Sequence, residues 1–342
     1  MLHVGDILSA LQGWAPPVIA WERDNVGLLL GRADAPVEKA LICLDVTPGV
    51  VEEAVREGAA LIIAHHPVIF HPLKALRTDR THGALLAELL RREINVIALH
   101  TNADGARFGL NHALAQALQL KETQPLDAAR GYGRKLTLRV PRESAALVSS
   151  WLTGRDEIVW TSHALDENLQ AIEIEIPVWR VGFVQAELTR VLGPTPHAFS
   201  EVRLEGESDG YGIGAVGNLE ASLDEAAFLR MVKDALGCAM LRVSPFDGQR
   251  PIRRVAVCSG AGAAYIPAAI SAGADALVTG DLTHHMFLDH QADILLVDAG
   301  HYDTERIFIN LCATQLANMV FENNEKIDIL QARTNTNPIW FV

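Results

Sequence analysis

The stretch KALICLDVTPGVVEEAVREGAALIIAHH, residues 39–66, decides the fold, because it reads as a strand, a helix and a second strand in succession. KALICLD and ALIIAHH are nearly continuous apolar runs, which is typical of strands buried on both faces of a sheet. Between them Thr47 is placed to cap a helix that has Pro48 at its first position. Two strands joined by such a helix predict parallel pairing in a βαβ unit.

The same alternation continues towards both ends of the chain. A helix around GALLAELLRR, the strand NVIALH and the helix GLNHALAQALQL follow this stretch, and later RRVAVCSG, ADALVTG and DILLVDAG are strands separated by helices. Strands that alternate with helices predict an α/β fold with predominantly parallel sheets and flanking helices. We expect residues 1–125 and 208–342 to form one discontinuous α/β domain.

The middle of the chain has a different order of predicted strands and helices. KLTLRV, EIVWTS, AIEIEIP and FSEVRLEG resemble strands, and RESAALVSSWL and VWRVGFVQAELTRVL resemble helices. The alternation in AIEIEIP places its isoleucines on one face of a strand. The order βαββαβ is ferredoxin-like, so we predict that residues 134–207 form a small inserted α+β domain. PLDAARGYGRK and EGESDGYGIG, residues 125–135 and 205–214, are rich in glycine and charge and read as crossings between the domains.

The composition excludes several classes of protein. The chain has 342 residues and a formal net charge of -13 with no basic run, which argues against a nucleic-acid partner because phosphate-backbone binders cluster Lys and Arg. No apolar run reaches the roughly 18 residues of a membrane span, and the N-terminus lacks the basic region of a signal peptide. The four cysteines have no C-x-x-C spacing, which indicates reduced thiols. We expect a soluble cytoplasmic protein without a membrane partner.

Residues able to bind metals follow four of the predicted strands. Ligands of open parallel sheets bind beyond the carboxyl ends of the strands, so we expect one rim of one sheet to collect these side chains. They are His65 and His66 after LIIA, His100, Asn102 and Asp104 after NVIAL, Asp281, His284 and His285 after DALVT, and His301 and Glu305 after ILLVDA.

His301 and Glu305 are four residues apart at the start of a helix, so their side chains lie on one face. Taken alone, this pair also fits an exposed helix surface, and an ordinary capped loop also fits HTNAD, residues 100–104. Their joint occurrence favours a metal site. Imidazole and carboxylate suit Zn, Fe, Mn or Ni more than Ca or Mg, and five such ligands suit two ions that share bridging oxygens. His65 and His66 would then diverge, one to each ion.

Two further motifs leave alternatives open. SGAGAAYI, residues 259–266, is a Gly-rich turn that either offers backbone N–H groups to an anion or packs a helix closely on a strand. WERDNVGLLLG, residues 21–31, is either a turn with charged caps or a source of Asp24 or Asn25 for the site.

Four motifs resemble, in this order, those of the Nif-three-like (Ngg-interacting factor) family of dinuclear metal-centre proteins, many of which are labelled GTP cyclohydrolase type 2 homologues. The motifs are AHHPVIF (64–70), HTNADGARFGLNHALAQAL (100–118), VTGDLTHH (278–285) and DAGHYDTE (298–305). The resemblance covers nearly all of residues 1–125 and 208–342.

The resemblance implies a toroidal homohexamer with two divalent metal ions per subunit, Zn, Fe or Mn, facing an internal cavity. Carried over by position, the implied ligands are His65, His66, Asp104, His301 and Glu305. Asp104 and Glu305 would bridge the ions, and His100 and His285 match positions that line the pocket. Residues 134–207 resemble a shortened form of the P-II-like insertion of longer members, from which a central stretch is missing.

Two functions follow from this interpretation. The first is a metal-dependent hydrolase that acts on a nucleotide or phosphoester, with His100 or His285 transferring protons. The alternative is a non-catalytic metal-binding, metal-delivery or regulatory protein. A scaffold whose metals only join subunits is a third hypothesis.

Overall fold

The structure is a computed structural model that describes residues 1–155, 158–245, 251–322, 326–340 and 342. It separates into two compact units. The first unit comprises Met1–Asp127 and Gly210–Val342, and the second comprises Ala128–Asp209. The mixed α/β fold predicted from the sequence is confirmed.

The strands and helices are numbered in chain order. The strands are β1 (Leu2–His3), β2 (Gly27–Leu30), β3 (Pro36–Val37), β4 (Lys39–Cys43), β5 (Leu61–Ala64), β6 (Asn95–Ala98), β7 (Lys121–Arg130), β8 (Gly133–Pro141), β9 (Val159–Ala164), β10 (Leu169–Pro177), β11 (Ala198–Leu204), β12 (Glu207–Leu223), β13 (Arg242–Val243), β14 (Ile252–Val257), β15 (Ala276–Thr279), β16 (Leu295–Asp298) and β17 (Asp328–Gln331). The helices are α1 (Val4–Trp14), α2 (Pro48–Glu57), α3 (Thr81–Arg91), α4 (Thr101–Asp104), α5 (Leu110–Ala117), α6 (Ala145–Leu152), α7 (Val181–Leu192), α8 (Glu225–Leu236), α9 (Ile266–Ser271), α10 (His284–His290), α11 (His301–Glu305) and α12 (Ile307–Glu322).

The opening βαβ unit forms the middle of a five-stranded sheet with the order β17-β4-β5-β6-β2. Its helix α2 begins as the sequence predicts, because the side chain of Thr47 accepts a hydrogen bond from the backbone N–H of Val50 and Pro48 occupies the first turn. The helix ends at Gly58, which adopts the left-handed conformation that glycine tolerates best. Strands β4, β5 and β6 are parallel and deeply buried, which fits their continuous apolar runs.

The second sheet of this unit has six strands in the order β13-β16-β15-β14-β12-β7. Strands β14, β15 and β16 are parallel, whereas β12 and β13 join them antiparallel. Strand β2 joins the first sheet antiparallel as well. Both sheets are therefore mixed rather than wholly parallel, because these outer strands lie outside the βαβ repeats and no crossover helix brings them back in the parallel direction.

The boundaries between the two units, after Asp127 and after Asp209, lie within residues 125–135 and 205–214, where the sequence predicts crossings. Strands β7 and β12 nevertheless occupy much of these two segments. The expectation that one sheet carries all the candidate residues was wrong. The four strands that end in metal-binding residues belong to two sheets, with β5 and β6 in the first and β15 and β16 in the second. The five implied ligands and His100 therefore gather where the carboxyl ends of strands from two sheets meet, and not along the rim of one sheet.

The second unit has a four-stranded antiparallel sheet in the order β11-β8-β10-β9. Helices α6 and α7 pack on one face of it. Ile172, Ile174 and Ile176 are buried on that face, as their alternation predicts, and they pack with the apolar side chains of the two helices. Across the described residues of both units, no helix is long and apolar enough to cross a membrane.

Candidate metal centre

His65 is fully buried just beyond the end of β5. Its Nδ1 atom lies 2.8 Å from the backbone carbonyl of Leu99. A carbonyl only accepts, so Nδ1 carries the proton and Nε2 presents a lone pair. This Nε2 atom is buried without a hydrogen-bond partner among the described residues, and in the neutral ring a buried acceptor of this kind needs a cation or a donor to offset its lost hydration.

His66, the next residue, faces the same region. Its ring is tilted by 50° from that of His65, with the two centroids 5.0 Å apart. The Nδ1 atom lies 2.7 Å from Oδ1 of Asp45, and Nε2 lies 3.0 Å from Oε2 of Glu305. Because the strand has ended, both adjacent imidazoles turn towards one place instead of pointing to opposite faces.

His301 and Glu305 lie on one face of α11, as their spacing predicts. Nε2 of His301 is 3.0 Å from Oε2 of Glu305, and Nδ1 is 2.7 Å from Oδ2 of Asp281. Glu305 is only 3% exposed. Its carboxylate is therefore a buried charge whose neighbours are imidazoles.

Asp104 ends the short helix α4, and its Oδ1 atom lies 3.8 Å from Nε2 of His65. The hydroxyl of Ser259 donates a hydrogen bond of 3.3 Å to the same oxygen. Burial raises the pKa of Asp104. Oε1 of Glu305 also approaches Nε2 of His65, at 3.7 Å. The two oxygens of Glu305 thus face different partners, with Oε1 towards His65 and Oε2 towards His66 and His301.

His100 lies beside the other two strand-end imidazoles. Its ring centroid is 5.2 Å from that of His65 and 5.5 Å from that of His66. Its Nδ1 atom lies 2.8 Å from Oδ1 of Asp24. Ligand atoms of these three histidines fall within 4.8 Å of one another. His100 is therefore placed as closely as a metal ligand, although the sequence predicts only a role in proton transfer.

His285 occupies the exposed first turn of α10, and its ring contacts that of His284 at a centroid distance of 5.4 Å. The structure brings together the five implied ligands and His100. Within the described ranges, two groups of side chains lie close enough to share an ion. They are His65, His66 and His100, and His66, His301 and Glu305, and His285 belongs to neither. Its proposed role in proton transfer remains a prediction.

The charged side chains of the centre shift one another's pKa values. Burial alone would raise the pKa of Glu305, but the surrounding imidazoles hold it well below its usual range. Burial would lower the pKa of His66, but Asp45 and Glu305 raise it to about 10. Glu305 and Asp281 likewise raise the pKa of His301 to about 9. Protons on these imidazoles therefore balance the buried carboxylate when no cation is bound.

The Gly-rich turn that follows β14 packs tightly over this cluster. Gly260 has a positive φ of 59°, and a Cβ atom there would lie 2.2 Å from Oε1 of Glu305. The backbone N–H of Gly260 donates to the hydroxyl of Thr304, and that of Gly262 donates to Thr279. These two donors are therefore engaged, and the contacts support close packing over anion binding.

Sequence reasoning missed the partners of the imidazoles. The sequence places Asp45 only at the end of the strand KALICLD, although the rule of strand carboxyl ends applies to it as well. It offers Asp281 only as one of the residues after DALVT, and Asp24 only as an alternative for the turn at residues 21–31. Each carboxylate accepts from Nδ1 of a histidine and thereby points Nε2 towards the centre.

Comparisons with known proteins agree over the whole chain. A family model described as Duf34/NIF3 (NGG1p interacting factor 3) matches residues 2–338. A protein of Bacillus subtilis (strain 168) named GTP cyclohydrolase 1 type 2 homolog is 32% identical, with 98% of each chain covered. A protein of the same name from Halalkalibacterium halodurans is 28% identical, again with 98% of each chain covered.

Solved structures with the same fold are also similar in sequence. The crystal structure of a Bacillus cereus protein related to NIF3 has a TM-score of 0.90 and 30% identity, with 99% of each chain covered. That of the Staphylococcus aureus protein SA1388 has a TM-score of 0.79 and 26% identity, covering 100% of this chain and 99% of its own.

Proposed function

Because this chain belongs to the Duf34/NIF3 family, we propose that it binds two divalent metal ions at this centre and hydrolyses a nucleotide or another phosphoester. The observation that carries the proposal is the buried Nε2 atom of His65, which has no hydrogen-bond partner in the part of the chain that the structure describes and faces carboxylate oxygens of Asp104 and Glu305. A fixed lone pair beside two carboxylates is a site that favours a cation.

The side chains fit two ions better than one. His65, Asp104 and Oε1 of Glu305 form one set, and His66, His301 and Oε2 of Glu305 form the other. Glu305 would bridge the two ions with its two oxygens. Mixed imidazole and carboxylate donors suit zinc, iron or manganese.

Bound divalent ions supply Lewis acidity and lower the pKa of a coordinated water. The protein itself orients the imidazoles. Asp24 holds Nδ1 of His100, so Nε2 of His100 faces the cluster and can accept or donate a proton there. His285 is the second candidate for proton transfer, from the exposed side of α10.

The substrate class in this proposal comes from the relatives' names, which mention GTP cyclohydrolase. The test uses metal-reconstituted protein, with ion content measured by mass spectrometry and turnover of GTP and bis(p-nitrophenyl) phosphate measured by product release. We expect Glu305→Gln to lose at least one ion and to reduce turnover by more than about 100-fold, the upper end for a residue that only orients a ligand. Glu88→Gln, which changes a half-buried glutamate of α3 that pairs with Arg91 and Arg92, is the matched control.

Circular dichroism of the Glu305 variant verifies that its fold is intact. Two bound ions in the wild type without turnover of either substrate would contradict the hydrolase and leave the alternative, a non-catalytic metal-binding or delivery protein. Absence of bound ions after reconstitution would overturn both.

Two further parts of the proposal concern the second unit and the assembly. The sheet of Ala128–Asp209 has the order β11-β8-β10-β9, so the fourth strand of this unit lies beside the first, followed by the third and the second. With two helices on one face, this order supports a ferredoxin-like, P-II-like domain. The family resemblance supports a toroidal homohexamer.

A further inference from the structure

The turn at residues 21–25 links two loops to the metal centre. The backbone N–H of Trp21 donates to the hydroxyl of Thr101 at 3.0 Å, and the Trp21 side chain interacts with that of Tyr265. Asp24 binds both His100 and Thr101. Despite these two attachments, 55% of the surface of Trp21 is exposed.

Phe70 reaches the same place from the loop that follows His66. The side-chain amide of Asn25 donates to the carbonyl of Ile69 at 2.5 Å, which fixes the backbone next to Phe70. The Phe70 ring stands edge-on to His100, with centroids 6.1 Å apart and an interplanar angle of 86°. Even so, 42% of its surface is exposed.

Two aromatic side chains are therefore held in place beside the metal centre while much of their surface faces solvent. Trp21 bonds through its backbone to Thr101, and the Phe70 ring contacts the adjacent residue His100. Neither contact requires the aromatic ring to be exposed. Aromatic faces stack favourably on other flat rings, and base–aromatic stacking accepts any nucleobase because each has a π-face. A fixed ring also loses little conformational freedom when a ligand binds.

We propose that Trp21 and Phe70 form a stacking surface for a planar heteroaromatic ring of the substrate, such as a nucleobase, whose phosphate end enters the metal centre. This inference rests on the proposed function, and it assigns to the turn at residues 21–25 the role of holding that surface next to His100.

The test compares ligands with and without a ring. Metal-reconstituted protein is titrated by calorimetry with AMP, GMP, CMP, UMP and ribose 5-phosphate. The variants Trp21→Leu and Phe70→Leu keep an apolar side chain but remove the flat ring, and Trp21→Phe restores a ring. Phe321→Leu is the control, because Phe321 is 85% exposed near the far end of α12, about 20 Å along the helix from Phe308 beside His65.

We expect at least one nucleotide to bind the wild type about tenfold more tightly than ribose 5-phosphate, which corresponds to one stacked base. Trp21→Leu or Phe70→Leu should remove most of that difference, Trp21→Phe should retain part of it, and Phe321→Leu should leave it unchanged. Equal binding of all five ligands by the wild type would overturn the stacking surface, as would variants that weaken ribose 5-phosphate and nucleotide alike.

Ion content measured on the same samples separates the two proposals. Bound metal with no preference for a ring contradicts only the stacking surface, whereas absent metal contradicts the proposed function. A change in the mass of the assembly in Trp21→Leu or Phe70→Leu, without a change in nucleotide preference, would instead show that a second copy of this chain covers these rings.

Discussion

Each imidazole of the centre has an acceptor behind its Nδ1 atom. The pairs are His65 with the Leu99 carbonyl, His66 with Asp45, His100 with Asp24 and His301 with Asp281. These acceptors fix the ring orientation and raise the basicity of Nε2, which strengthens a bond from Nε2 to a metal.

Asp45 gives the sharpest test of this arrangement. Asp45→Asn keeps the size of the side chain but removes the charge that faces Nδ1 of His66. We expect the affinity for zinc to fall about 10- to 100-fold, the usual effect of losing such a partner, as measured by competition with a chelating dye. Asp79→Asn, which changes an exposed aspartate paired with Arg77, should leave the affinity as it is. An unchanged affinity in Asp45→Asn would show that Asp45 does not orient a ligand.

The raised pKa values of His66 and His301 predict a pH dependence. They lie at about 10 and about 9, above the ordinary value of about 6.5. The protonated pair therefore stabilises the metal-free protein fully below about pH 6.5, and this stabilisation is lost as the pH rises through the folded-state values. We expect the Tm of chelator-treated protein to fall from pH 7 to pH 10 and its zinc affinity to rise, because fewer protons must be displaced.

Calorimetry in two buffers of different ionisation enthalpy counts the protons released when zinc binds. With zinc bound, the fall in Tm that these two imidazoles cause should disappear, because they are then neutral at every pH in this range. A Tm of the chelator-treated protein that stays flat or rises would contradict the prediction.

Among the helices and strands, the sequence predicts those whose stabilising residues are close together in the chain. Helix α2 could be predicted because its cap, its first-turn proline and the flanking apolar runs are all adjacent in the chain. Strands β7 and β12 could not, because proline and charge in β7, and glycine and charge in β12, lower the local strand propensity. The hydrogen bonds that fix β12 come from β14, a partner distant in sequence.

Helix α2 also anchors the segment that follows β17. Glu53 is buried on this helix and accepts hydrogen bonds from the backbone N–H groups of Arg333 and Thr334, at 2.9 and 3.0 Å. The Thr334 hydroxyl donates to it as well, at 2.6 Å. Burial opposes the charge, but these donors lower the pKa of Glu53. Its stabilising contribution is therefore present above about pH 4.3 and is lost as the pH falls further.

Glu53→Gln should lower the free energy of unfolding at pH 7 by about 1–3 kcal/mol, because an acceptor of buried backbone donors is replaced by a side chain with one acceptor oxygen. Urea unfolding measures this loss. The difference from the wild type should shrink in acid, where the carboxylate is protonated. Glu57→Gln, an exposed change on the same helix, is the control, and an equal loss there would contradict a specific role for Glu53.

At the scale of the whole molecule, the site depends on where two sheets end. The sequence predicts the ligands because each follows an apolar strand, but it does not indicate that β5 and β6 belong to one sheet and β15 and β16 to another. Strand partners are chosen by long-range packing, which single strands do not encode. The strand-end rule therefore identified the side chains correctly but placed them on one rim.

The homohexamer is the prediction that belongs to this scale. We expect sedimentation of the full chain to give about six times the subunit mass of 37.2 kDa, in agreement with the family resemblance. A single species of subunit mass at micromolar concentration would contradict it.

Thr336 donates through its hydroxyl to Oδ2 of Asp45 at 2.8 Å, while Oδ1 of Asp45 holds His66. All five implied ligands precede residue 306, yet the orientation of one of them depends on a hydroxyl thirty-one positions after Glu305. A product that ends between residues 332 and 335 would retain every ligand, helix α12 and strand β17, and would still bind metal poorly. Thr336→Val should reproduce part of that defect in the intact chain, and Thr336→Ser should not.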